Sequence, residues 1–133
     1  FLDGPHYPIT GAKRGPAPAH PIPIWVGALK PRMLRLVGQE ADGWWASLAM
    51  LSGDAELAAS TAAIDQAARD AGRDSSAIRR LLNIGGADAR PDRITELAQR
   101  YGVTGFVLVS DDAAQIERFG SEVAPAVRAA LAA

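Results

Sequence analysis

Residues 23–47 read PIWVGALKPRMLRLVGQEADGWWAS, and the fold is decided there. Two short apolar runs, Ile24–Val26 and Gly43–Ala46, flank one compact helical pattern. Pro31 fits the first turn of a helix, where its missing N–H costs nothing. Met33, Leu34, Leu36 and Val37 then supply an apolar face with helical periodicity. Gly38 and Gln39-Glu40 fall near the helix end, and Asp42-Gly43 opens the next strand. Strand, turn, helix, strand in so short a space is a βαβ unit, with parallel strands and a right-handed crossover. Asp42, just ahead of an apolar strand, is read as a structural tie at the helix–strand join.

The turn Gly27–Lys30 is where chemistry is expected. Backbone N–H groups at a helix N-terminus, aided by the helix dipole, form a site for an anion. Gly27 lets a phosphate approach the main chain, and Lys30 and Arg32 add positive charge beside it. The competing reading is a capped structural turn with two solvated cations.

The rest of the chain repeats the unit. Leu48–Gly53 is a loop, and Ser52 or Asp54 is expected to cap a helix whose apolar stripe is Leu57, Thr61, Ile64, Ala68 and Ala71. Gly72 closes it, and Ile78–Ile84 reads as a strand ending at Gly85-Gly86. Pro91 and Asp92 begin a helix with Ile94, Leu97, Ala98 and Tyr101 inward, and Gly102 ends it. Gly105–Val109 is the clearest strand. Asp111 and Asp112 suit the start of a final helix that carries Pro125 inside it. Four strand–helix units in succession mean a parallel sheet covered by helices. They make either half of a TIM barrel or a small open sheet of flavodoxin type, and spacing alone does not separate the two.

Ahead of these units, residues 1–22 form an extended arm or lid, and residues 23–133 the four-unit domain. Pro5, Pro8, Pro16, Pro18, Pro21 and Pro23 forbid a regular helix there. Asp3-Gly4 through Thr10-Gly11 is compatible with a short hairpin. His6 and His20, the only histidines, have no metal-ligand spacing. A length of 133 residues suits one domain, with 48% apolar and 22% charged residues typical of a globular protein. A net charge of −1 and the lack of a basic stripe argue against a nucleic-acid surface. Without cysteine there are no disulfides or thiolate metal sites. No apolar run has membrane-spanning length and no signal peptide opens the chain, so the expected compartment is the cytoplasm. The chain opens on Phe1-Leu2 without an initiating methionine, which reads as the middle of a longer protein.

Three stretches carry a resemblance: GPHYPITGA (Gly4–Ala12), GPAPAHPIPIWVGALKPRMLRLVGQEADGW (Gly15–Trp44) and GVTGFVLVSDD (Gly102–Asp112). Together they resemble the luciferase-like monooxygenase family, flavin- or deazaflavin-dependent oxidoreductases on a TIM barrel. The resemblance implies the C-terminal half of that barrel, (β/α)4, with FMN or a deazaflavin as cofactor. It implies that Gly27, Ala28, Leu29 and Lys30, with Arg32 beside them, hold the cofactor phosphate, although Ala28 stands where the family commonly has a second glycine. Trp44, Trp45, Ser47, Asn83 and Ser110 lie near strand C-terminal ends, the face on which TIM barrels keep their sites, and are the candidate pocket residues. Strand alternation sends Trp44 and Trp45 to opposite faces, so only one lines a pocket. No nucleophile, metal cage or acid–base pair is evident, so the chain alone is expected to be inactive on its small-molecule substrate. The expected partner is the N-terminal half-barrel or a second copy in a homodimer. The alternative is a non-catalytic half-barrel serving as a folding or assembly unit.

Overall fold

The computed structural model describes residues 2–3, 8–9 and 15–132. Of the expected N-terminal hairpin, β1 (Leu2–Asp3) pairs antiparallel with β2 (Pro8–Ile9). Gly4, His6, Tyr7, Thr10 and Gly11 lie outside the described residues. The domain then runs β3 (Trp25–Val26), α1 (Pro31–Glu40), β4 (Gly43–Ser47), α2 (Asp54–Asp70), β5 (Arg79–Ile84), α3 (Pro91–Tyr101), β6 (Gly105–Leu108), α4 (Ala113–Arg118) and α5 (Ala124–Ala132).

The four domain strands pair in parallel in the order β3-β4-β5-β6. Every crossover steps the same way, as in a barrel, whereas a flavodoxin-type sheet reverses direction at its switch point. The core confirms this. Trp44, Ala46, Leu82 and Ile84 are buried on one face of the sheet with Leu34, Val37, Leu57, Ile64, Ile94 and Leu97 from the helices. The alternate strand residues face the other way and remain open: Trp25 is 38%, Trp45 43% and Val107 36% exposed. Among the described residues, helices on one face and exposed side chains on the inner face make the architecture half of a TIM barrel.

Several sequence expectations shift by local physics. β3 is only two residues long, because the Asp42 carboxylate takes the Ile24 N–H at 2.7 Å where a neighbouring carbonyl would otherwise sit. Asp42 also donates its N–H to Ile24 O and accepts from Arg79 N–H, so it is the structural tie expected of it. Met33 and Leu36 do not share the buried face of α1; they are 38% and 42% exposed, and only Leu34, Val37 and Gly38 are buried. Neither Ser52 nor Asp54 caps α2 by its side chain. Gly53 occupies the cap at φ 118°, and Glu56 reaches back to accept the Ser52 N–H at 2.7 Å. Asp112, not Asp111, caps α4 through the Ala114 N–H. The expected single last helix is interrupted by a π turn at Phe119–Val123. Pro125, which lacks an N–H and crowds the carbonyl four residues back, accounts for the wider turn.

The helices are locked by a few polar contacts. Gly72, at φ 68°, ends α2 in a Schellman motif, with the Arg73 N–H on Ala68 O at 2.8 Å and the Gly72 N–H on Arg69 O at 3.0 Å. This aims the Arg73 side chain at α1, where it donates to the carbonyls of Gly38 at 2.6 Å and Ala41 at 2.8 Å. Arg93 of α3 grips Asp54 at the start of α2, with the Tyr101 hydroxyl adding a 3.3 Å bond. The Arg93 hydrogen bond holds the Asp54 carboxyl below the usual carboxylate range, against some desolvation.

Gly38 sets the separation of α1 and α2. A Cβ there would lie 2.5 Å from Ile64 O and 2.6 Å from Ala67 Cβ. Gly38→Ala is therefore expected to destabilise the domain by about 1–3 kcal/mol through overpacking, despite alanine's better helix propensity. A urea midpoint equal to that of the parent chain would show that the two helices separate without cost.

Candidate functional site

The site is built from the join between β3 and α1. Pro31 starts α1 at its first position, leaving Gly27–Lys30 to cross from the strand end to the helix. The indole N–H of Trp44, fully buried beneath the helices, donates to Ala28 O at 2.8 Å. In a planar trans peptide the C=O and the next N–H point in opposite directions. With the Ala28 carbonyl drawn into the core, the Leu29 N–H is turned away from it. Among the described residues, the N–H groups of Ala28, Leu29, Lys30 and Arg32 donate to no protein acceptor. The structural-turn reading does not consume these donors.

Beside the turn lies an open cleft of about 360 Å³. Its lining is Gly27–Lys30 and Met33 on one side and Trp45, Ala46, Ser47 and Met50 on the other. Most of that wall is apolar and the polar atoms are few, as in a small-molecule site. Lys30 makes no ion pair within 4 Å among the described residues. Its charge is nevertheless felt at Glu56, whose carboxyl is held below the usual range chiefly by the Ser52 N–H and to a lesser extent by Lys30.

The predicted residues divide clearly. Gly27, Ala28, Leu29, Lys30, Trp45 and Ser47 meet in this cleft. Asn83 joins it indirectly, accepting the Trp45 indole N–H at 2.8 Å. Trp44 is a correction: it is a core residue, supporting the turn from behind rather than lining a pocket. Arg32 is exposed on the first turn of α1 and does not line the cleft. Ser110 is also outside it; its hydroxyl accepts the Asp112 N–H at 3.1 Å and so serves the turn ahead of α4. Met33 and Met50 were missed. Met33 falls on the helical apolar period, which hides it, while Met50 lies in the loop after β4, on the face where barrel sites gather. Among the described residues, no group of three or more His, Asp or Glu side chains is placed to hold a metal, and no helix is long and apolar enough to cross a membrane.

Gly27 has no internal need to be glycine. Its φ is not in the left-handed region, and a Cβ would meet only Trp45 O at 3.5 Å, an ordinary contact. What a side chain would occupy is the cleft. A Gly27→Ala chain is thus expected to melt at or slightly above the parent temperature, by the entropy of the unfolded chain, while losing affinity for whatever the cleft binds. A clear drop in melting temperature would assign Gly27 to folding instead.

Fold and site together define a half of a (β/α)8 barrel with a cleft at the C-terminal ends of its first two strands. The sequence model of the luciferase-like monooxygenases matches residues 2–131, and the chain belongs to that family. A search of curated proteins finds no match. Among solved structures, it is similar to an F420-dependent secondary alcohol dehydrogenase in complex with an F420-acetone adduct, at TM-score 0.70 and 15% identity. The match covers 94% of this chain and 55% of that one, so the chain spans about half the length of its structural neighbour.

Proposed function

We propose that the chain forms the C-terminal half of a flavin- or deazaflavin-dependent oxidoreductase, and that the turn Gly27–Lys30 holds the cofactor's phosphate. The observation that carries this is the set of undonated amides at the turn, opening onto an apolar cleft walled by Trp45. The residues fit the group: bare main chain at Gly27 admits a phosphate, the amides supply donors, and the indole gives a flat wall for a ring. The bound cofactor supplies the hydride or oxygen chemistry, and the protein's part is to bind, orient and shield it. Membership of the family and the deazaflavin named for the structural neighbour support this reading.

Titration of the chain with FMN and with the deazaflavin, followed by fluorescence, tests it. Binding of one of them is expected, with inorganic phosphate competing. Lys30→Ala is expected to weaken binding no more than about fivefold, because an exposed charge contributes up to about 1 kcal/mol and the amides remain. Binding that survives saturating phosphate, or no binding of either ring, would overturn the assignment.

The rest of the barrel wall is assigned to an N-terminal half-barrel or to a second copy of this chain. The exposed inner face, with Trp25, Trp45, Val107 and Val109, supports this. With only four strands the cleft is open on one side, and the chain alone is expected to turn over no substrate. Light scattering at low micromolar concentration is expected to give a dimer when no other half is present. A cooperative monomer would show that the open face needs no cover.

A further inference from the structure

Trp45 and Asn83 form a linked pair on the open face of the sheet, projecting from β4 and β5. Ser47 is the register partner of Asn83, and Trp45 that of Leu81, so the indole lies diagonally below the amide. The indole nitrogen carries a hydrogen and can only donate. The oxygen of the Asn83 amide must therefore face Trp45, and it accepts that N–H at 2.8 Å. This fixes which end of the amide is left. The Asn83 NH2 group finds no acceptor among the described residues, and neither does the Ser47 hydroxyl beside it. Asn83 stands between apolar residues of the same face, Leu81 two positions back on its own strand and Val107 as its register partner on β6.

From this we infer that Asn83 has two tasks: it positions the Trp45 ring as the wall of the cleft, and its NH2 group reads a hydrogen-bond acceptor on the bound ring. The ligand edge that fits is a carbonyl or imide oxygen, or an unprotonated ring nitrogen. A ring edge that only donates is not matched. Ser47, able to donate or accept, adjusts to the neighbouring ligand atom. The second task rests on the reading of the cleft as a site for a flavin-like ring.

The test uses the nitrogen-15-labelled 133-residue chain, since its three tryptophans give three indole N–H resonances. Trp25→Phe and Trp45→Phe assign them. Asn83→Leu removes both the acceptor and the donors, whereas Asn83→Asp keeps an oxygen acceptor for Trp45 and removes the NH2 group. The Trp45 resonance is expected to move and exchange faster in Asn83→Leu and to stay protected in Asn83→Asp. FMN and the deazaflavin, used as probes, are expected to bind about tenfold more weakly to both variants, the loss of roughly one hydrogen bond. An unmoved Trp45 resonance in Asn83→Leu overturns the positioning task. Full ring affinity in Asn83→Asp overturns the reading task. If the parent chain binds neither ring, the cofactor proposal falls and the reading task with it, while the resonances still judge the positioning task by themselves.

Discussion

The hydrogen bond from the Trp44 indole to the Ala28 carbonyl is the contact on which the arrangement of the site depends. It is made inside the core, where an unpaired N–H or C=O would cost about 1–3 kcal/mol. That penalty holds the β3–α1 turn in one conformation. Because a peptide's two polar groups are antiparallel, securing the carbonyl inward turns the next amide outward. The same residue sets the phase of β4. With Trp44 buried among the helices, Trp45 has to stand on the opposite face. One buried indole thus orients both sides of the cleft, the amide turn and the aromatic wall.

A second constraint is the one-sidedness of the core. The helices cover a single face of the sheet, and their mutual packing is close, with Gly38 of α1 against the backbone of α2. Polar clamps work at the edges of this layer rather than in its middle. Asp42 replaces missing ladder partners at β3, Arg73 satisfies the last carbonyls of α1, and Arg93 joins α3 to the start of α2. These contacts stabilise the outer layer without using the inner face of the sheet. On that face Trp25, Trp45 and Val107 stay exposed.

The family relation and the geometry bear on different questions. Family membership rests on a match over residues 2–131, and it says which kind of chemistry is to be expected. The geometry says which residues of this chain line the cleft. Gly27 is informative because nothing within the protein requires a glycine there. Gly27 lines the cleft, and its missing side chain leaves that space open.

The sequence by itself determined the order of elements. Pro31 and Pro91 mark helix starts, Gly72 and Gly102 mark helix ends, and the apolar runs between them are the strands. It also determined that Trp44 and Trp45 are divided between two faces, since a strand alternates with period two. It did not determine which of them faces the helices. Alternation gives parity but not phase, and the phase is set by where the helices pack. In the same way, the sequence places Pro125 inside one final helix, and only the folded chain shows that helix opening into a π turn at Phe119–Val123. The choice between half-barrel and open sheet was likewise tertiary, because the direction of each crossover and the bare inner face are properties of strands placed side by side. Met33 was hidden for the same reason: helical periodicity puts it on an apolar face, and only the packing of α1 on the sheet turns it to the cleft.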